Sequence, residues 1–218
     1  MVKLLGVGFD IGGILADDIN GPLSLEVARK YGLSEVEVGQ AIDRIYRQYD
    51  IEPVPEGLSW QGIEVEFWER LNTSFPRLKT VPVDELIQLS DQFIVQIDEM
   101  VPILERLRAN GIKLAICSNN CPFFWGRMEQ KLDFPKYFDP ANVILSCNVG
   151  ARKSSRGFEM FKALANALDL DTMGCVFFDD KEGNIECATK FGIPSVLVPG
   201  GWIYGSRYIN NILFLMGV

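Results

Sequence analysis

Five short runs of almost uninterrupted apolar residues punctuate the chain: LLGVGF (4–9), IKLAIC (112–117), NVILS (142–146), GCVFF (174–178) and PSVLV (194–198). Runs of this length without polar alternation predict strands buried on both faces, as in a parallel sheet. Between the later runs the period becomes helical. In PILERLRANG, Ile103, Leu104 and Leu107 share a face and Gly111 marks the stop. In FEMFKALANAL the repeat is Phe158, Phe161, Leu164 and Leu168; in NIECATKFGI it is Ile185, Ala188 and Phe191, with Gly192 behind. Strand–helix alternation predicts an α/β fold with a doubly wound, Rossmann-like parallel sheet. The tail YINNILFLMG predicts a last amphipathic segment covering that sheet. Residues 15–99 break the pattern. They hold no convincing strand, and SLEVARKYG, EVEVGQAIDRIYRQY, WQGIEVEFWERLNTSF and VDELIQLSDQFIVQI all carry helical periodicity. The expected organisation is an α/β core of residues 1–14 and 100–218 with an all-α domain, 15–99, inserted where a lid over the sheet's carboxyl edge would hang.

Composition narrows the chemistry. The 218 residues suffice for one core and an insert. A net charge of −8 argues against nucleic acid or an anionic membrane as partner, and an anionic substrate would need local positive charge or a metal. The chain has no histidine, which removes histidine triads, histidine bases and histidine-ligated zinc together. Five cysteines, an odd and scattered count, fit a reduced, cytoplasmic protein. No apolar stretch reaches membrane-spanning length, and the N-terminal run is too short for a signal sequence. Trp202 and Tyr204, in a GGWIYG loop, are expected to pack under the core.

Ligands of open α/β sheets bind outside the carboxyl ends of the strands. After the first run comes Asp10; after the second, Ser118, Asn119 and Asn120; after the third, a loop with Lys153; after the fourth, Asp179 and Asp180. Each has a plain structural alternative. Ser118 and Asn119 suit a helix cap, Lys153 a solvated lysine, and the two aspartates a cap pair beside a helix dipole. Their coincidence at one sheet edge points instead to a site.

These stretches resemble the motifs of the haloacid dehalogenase-like (HAD) superfamily. FDIGGIL (9–15) is similar to its first motif, LAICSN (114–119) to its second, Lys153 in GARKSSRGFEMF to its third, and FFDDKEGNIECATKFGI (177–193) to its fourth. The insert resembles the helical cap of the first subclass. The resemblance implies a phosphatase-type hydrolase of a small phosphorylated metabolite, such as a sugar phosphate. Asp10 would form an aspartyl-phosphate, with Ser118, Asn119 and Lys153 holding the phosphoryl group. Mg2+ would be held by Asp10, the carbonyl of Gly12 and the aspartate pair, with Asp179 favoured as the direct ligand and Asp180 acting through water. Paired aspartates in the fourth motif disfavour the dehalogenases of the same superfamily. A monomer or small homo-oligomer is expected.

Two positions depart from the family pattern: Ser154 stands where proline is usual, and Gly12 where a second aspartate is usual. That aspartate serves the family as leaving-group acid, a role worth 10²–10⁴-fold in rate. Asp17 or Asp18 is a candidate substitute. An easily displaced leaving group is another remedy, and a catalytically weak or inactive binding protein is the alternative function. Glu64, Glu66 and Trp68 on the insert are expected to serve packing rather than substrate contact.

Overall fold

The computed structural model describes residues 4–199 and 202–218. Five strands, β1 (Gly6–Phe9), β2 (Lys113–Ser118), β3 (Val143–Leu145), β4 (Cys175–Asp179) and β5 (Ser195–Leu197), form one sheet in the order β3-β2-β1-β4-β5. All four pairings are parallel. Alternate side chains enter opposite layers, as the pleat dictates. Val7, Phe9, Leu114, Ile116, Val176 and Phe178 join one apolar cluster, while Ala115, Cys117, Cys175 and Phe177 join the other. This two-sided burial is why the strands read as continuous apolar runs. Gly8 of β1 has a packing reason: a Cβ there would lie 3.0 Å from the Leu164 side chain, so glycine lets the covering helix sit close without displacing it.

Between β1 and β2 the chain forms α1 (Asn20–Tyr31), α2 (Glu35–Tyr49), α3 (Trp60–Ser74) and α4 (Val83–Asp91), with no strand among the described residues there. Ser34 and Ser59 accept bonds from the amides of Glu37 and Gly62, satisfying the first turns of α2 and α3. Val38, Ala41, Ile42 and Ile45 then form the buried stripe of α2. The chain leaves and re-enters the sheet region through two paired linkers: the Asp17 amide donates to the Val95 carbonyl (2.9 Å) and the Ile97 amide to that of Leu15 (3.0 Å). The helix expected through residue 97 therefore stops at Asp91, because residues 95–97 pair with residues 15–17 instead.

The remaining α-helices among the described residues are α5 (Val101–Ala109), α6 (Pro122–Lys131), α7 (Ser146–Val149), α8 (Glu159–Leu168), α9 (Glu182–Phe191) and α10 (Trp202–Leu215). The run ending at residue 146 divides, with Ser146 opening α7. The GGWIYG segment differs from expectation as well: Gly200 and Gly201 lie outside the described residues, Trp202 begins a helix, and the Tyr204 side chain is 70% exposed rather than packed. No helix among the described residues is long and apolar enough to cross a membrane.

Candidate active site

Strand order reverses direction at β1: the chain proceeds outward to β2 and β3, then returns to β4 on the opposite side. A crevice at such a switch point is where open α/β sheets bind ligands. The register pairs Phe9 with Ile116 and with Phe178, and the Asp10 amide donates to the Phe178 carbonyl at 2.9 Å. Asp10 therefore emerges level with Asp179 and beside the end of β2, where Ser118 sits.

Lys153 reaches this edge from the loop after α7. Its ammonium is 2.8 Å from Asp10 Oδ1 and 2.5 Å from Asp179 Oδ2, and the side chain is 1% exposed. Burial acts to lower its pKa, but the charges of Asp10 and Asp179 outweigh it and hold the ammonium above the ordinary lysine range. Asp179 is wholly buried. Burial first, and the Asp10 charge second, push its carboxyl up to about 6. Both of its oxygens are engaged, by Lys153, by Asn184 Nδ2 (3.0 Å to each oxygen) and by the Lys181 amide (2.8 Å).

Asp180 differs. Its Oδ2 pairs with the Lys181 ammonium at 2.8 Å, while its Oδ1 is buried with no hydrogen-bond partner. Burial raises its pKa as well. Gly13 has φ +73°, and a Cβ there would lie 3.0 Å from Asp180 Oδ2, so glycine is favoured on both counts. Asp10, Asp179 and Asp180 each offer an oxygen, all within 4.8 Å of one another. An orphaned carboxylate oxygen in such a cluster, with a three-oxygen hard donor set, fits a divalent cation such as Mg2+.

The cavity above these groups has a volume of about 180 Å³. Asp10, Gly12, Asp17, Ser118, Asn119 and Asp180 line it, with Tyr46 of α2 on the far wall. Ser118 is buried at the end of β2. Asn119 does double work: it lines the cavity, and its Oδ1 accepts the Lys153 amide at 2.9 Å. Asp17 is half-buried, and burial raises its pKa. Asp18 is exposed, 3.6 Å from the Lys181 ammonium. Glu64 pairs with Arg127, Glu66 with Arg70, and Trp68 is wholly buried, so none of the three faces the cavity.

Two residues of the site are given no role from the sequence. Asn184 lies within the stretch that resembles the fourth motif, in the first turn of the helix after the aspartates, and it clamps Asp179. Tyr46 carries no sequence signal. It sits on an ordinary amphipathic helix, yet its hydroxyl donates to the Asn119 carbonyl at 3.0 Å.

The profile of haloacid dehalogenase-like hydrolases matches residues 5–192. The chain belongs to that family and is a hydrolase. A phosphatase of Mycobacterium tuberculosis is 27% identical over 208 residues, covering 90% of this chain and 88% of the relative. Phosphoglycolate phosphatase of Salmonella typhi is 24% identical over 217 residues, covering 93% and 84%. Among solved structures, a HAD family enzyme of Bacteroides thetaiotaomicron, in complex with magnesium and inorganic phosphate, shares the fold with a TM-score of 0.69 at 18% identity, covering 91% of this chain and 96% of that one.

Proposed function

We propose that the protein is a Mg2+-dependent phosphomonoester hydrolase working through an aspartyl-phosphate on Asp10, with a small phosphorylated metabolite, such as a sugar phosphate, as substrate. The observation that carries this reading is the buried Asp10–Lys153–Asp179 ion cluster beside the unpartnered oxygen of Asp180. The phosphatase names of the relatives support the reaction class, and one of them names a small phosphorylated acid. Asp10, Asp180 and the Gly12 carbonyl would hold Mg2+, which would supply charge neutralisation for the phosphoryl oxygens. Asp180 takes precedence over Asp179 because both oxygens of Asp179 are already committed.

An Asp10 oxygen attacks phosphorus, and the bond from phosphorus to the substrate oxygen breaks with its electron pair leaving on that oxygen. Lys153 and Ser118 offset the negative charge on the phosphoryl group. Asp17, facing the cavity with a raised pKa, is placed to supply the leaving group's proton. Water then attacks phosphorus, releasing phosphate and restoring the Asp10 carboxylate. Residues 15–99 act as a cap on a core of residues 1–14 and 100–218, attached through the linkers paired at 15–17 and 95–97.

One observation favours a second reading. The space next to Gly12 is open, with nothing within 4 Å of a Cβ built there, so the position usual for the acid is vacant. A weak or inactive phosphate-binding protein would retain the rest of the site. Phosphate release from sugar phosphates and an aryl phosphate, with and without Mg2+, separates the two. Mg2+-dependent turnover that disappears in Asp10→Asn is the expected result. Turnover surviving in Asp10→Asn overturns the aspartyl-phosphate, and no turnover with any substrate favours the binding protein.

A further inference from the structure

A second cavity, of about 340 Å³, lies away from Asp10, between α5, the turn before it and α10. Arg106 of α5 and Arg207 of α10 face it together with Ser206, Asn210 and Asn211. The Arg106 guanidinium is unusual. Its Nε and one Nη are buried without a hydrogen-bond partner among the described residues, and it makes no ion pair with any described carboxylate. Its neighbours are accounted for differently: Glu105 accepts from the Tyr137 hydroxyl, and Arg108 donates to the Lys136 carbonyl. An unpaired buried donor is costly, and more so when charged. Arg207 likewise makes no ion pair among the described residues, although Glu99 lines the same cavity, so in a chain of net charge −8 these two guanidiniums form a localised exception.

We infer that this cavity is a binding site for a small oxyanion, a phosphate- or carboxylate-bearing molecule, held by the guanidiniums of Arg106 and Arg207. Guanidinium forks match both anions in shape, and charge-assisted bonds are about twice as strong as neutral ones. The Asn210 and Asn211 amides and the Ser206 hydroxyl add neutral donors and acceptors, so the site reads more of the molecule than its charge. Glu99, exposed at the rim, favours a ligand that carries a hydroxyl or amino group beside its anionic group. The volume is at the small end of the range that holds metabolites. Occupancy would link α5, which follows the returning linker, to α10, whose Gly205 approaches the Gly13 carbonyl beside Asp10.

The test uses the full chain in EDTA, which removes the divalent cation the Asp10 site would need. Inorganic phosphate and, separately, citrate are titrated while backbone amides are followed by NMR. Saturable shifts at residues 99–106 and 206–211 are expected with at least one of the two. Arg207→Gln, an exposed substitution that leaves the core untouched, should weaken that binding by about tenfold or more. Phosphate alone giving the response assigns a phosphate-bearing ligand, and citrate alone a polycarboxylate. Shifts confined to residues 10–20 and 118–120, no saturation by about 10 mM of either anion, or unchanged affinity in Arg207→Gln overturns the site.

Discussion

At Gly12 the backbone is free of the left-handed strain seen at Gly13, and a Cβ would meet nothing within 4 Å. Gly12→Asp should therefore fold as the parent does and place a carboxyl at the cavity's edge. If the acid is what the site lacks, kcat should rise roughly 10²-fold for poor leaving groups such as alkyl phosphates and change little for acyl phosphates, which need no proton. Side-by-side kinetics on the two substrate types checks it. The second prediction at this scale concerns Asp179, whose carboxyl is pushed from 3.8 up to about 6. Between those values the metal-free folded protein holds more protons than the unfolded chain. Its stability through this group is thus fully present at low pH and lost as pH rises through about 6. Relative to Asp179→Asn, the metal-free parent should gain on the order of 2 kcal/mol between pH 7 and pH 4. Urea unfolding midpoints in EDTA measure this, and equal slopes for the two proteins would refute it.

Among the elements, the contact between α3 and α6 bears most on how the inserted helices stay in place. Arg127 of α6 pairs with Glu64 of α3 at 2.6 Å and with Asp91 at 3.6 Å, and its guanidinium lies over the Trp60 ring. Burial raises the Glu64 pKa while Arg127 opposes the rise. Arg127→Ala should cost about 3–5 kcal/mol, because it strands a buried carboxylate, whereas Glu64→Leu with Arg127→Met should be close to neutral. Urea unfolding of the single and double variants distinguishes the stranded charge from the lost pair. Elements were the scale at which the sequence was most informative, and the reasons are local. The α2 stripe lies within one stretch of chain, so periodicity alone locates that helix at 35–49, and the structure adds the Ser34 cap. The end of α4 depends on pairing with residues some 80 positions away, and no local pattern carries that. Likewise, the strand-end rule collects Asp10, Ser118, Lys153, Asp179 and Asp180, because parallel strands deliver their next residues to one edge. It has no means of finding Tyr46, which reaches the site from another layer.

For the molecule as a whole, the cavity of about 180 Å³ above Asp10 is smaller than the 300–1,000 Å³ usual for ligand sites. On the reading proposed above, a sugar phosphate would fit more readily if the inserted helices moved off the sheet edge, as lids of many enzymes do. Among the polar ties that would resist such a movement are Tyr46 to the Asn119 carbonyl, Glu64 to Arg127, and Asp50 at the end of α2 to Arg152, whose Nη2 is 2.8 and 2.7 Å from the two Asp50 oxygens. The linkers paired at 15–17 and 95–97 would be the hinge of such a movement. Tyr46→Phe removes one tie while keeping the ring, and leaves the loop that carries Lys153 untouched. A weaker closed state lowers the conformational penalty for a large substrate but also loosens the walls around a small one. Relative to the parent, kcat/KM for a sugar phosphate should rise severalfold against that for acetyl phosphate. Asp50→Asn should move the ratio in the same direction, since a neutral amide holds Arg152 less tightly than a carboxylate does. If both variants leave the ratio unchanged, these ties do not govern closure, and the size limit on substrates belongs to the cavity walls themselves.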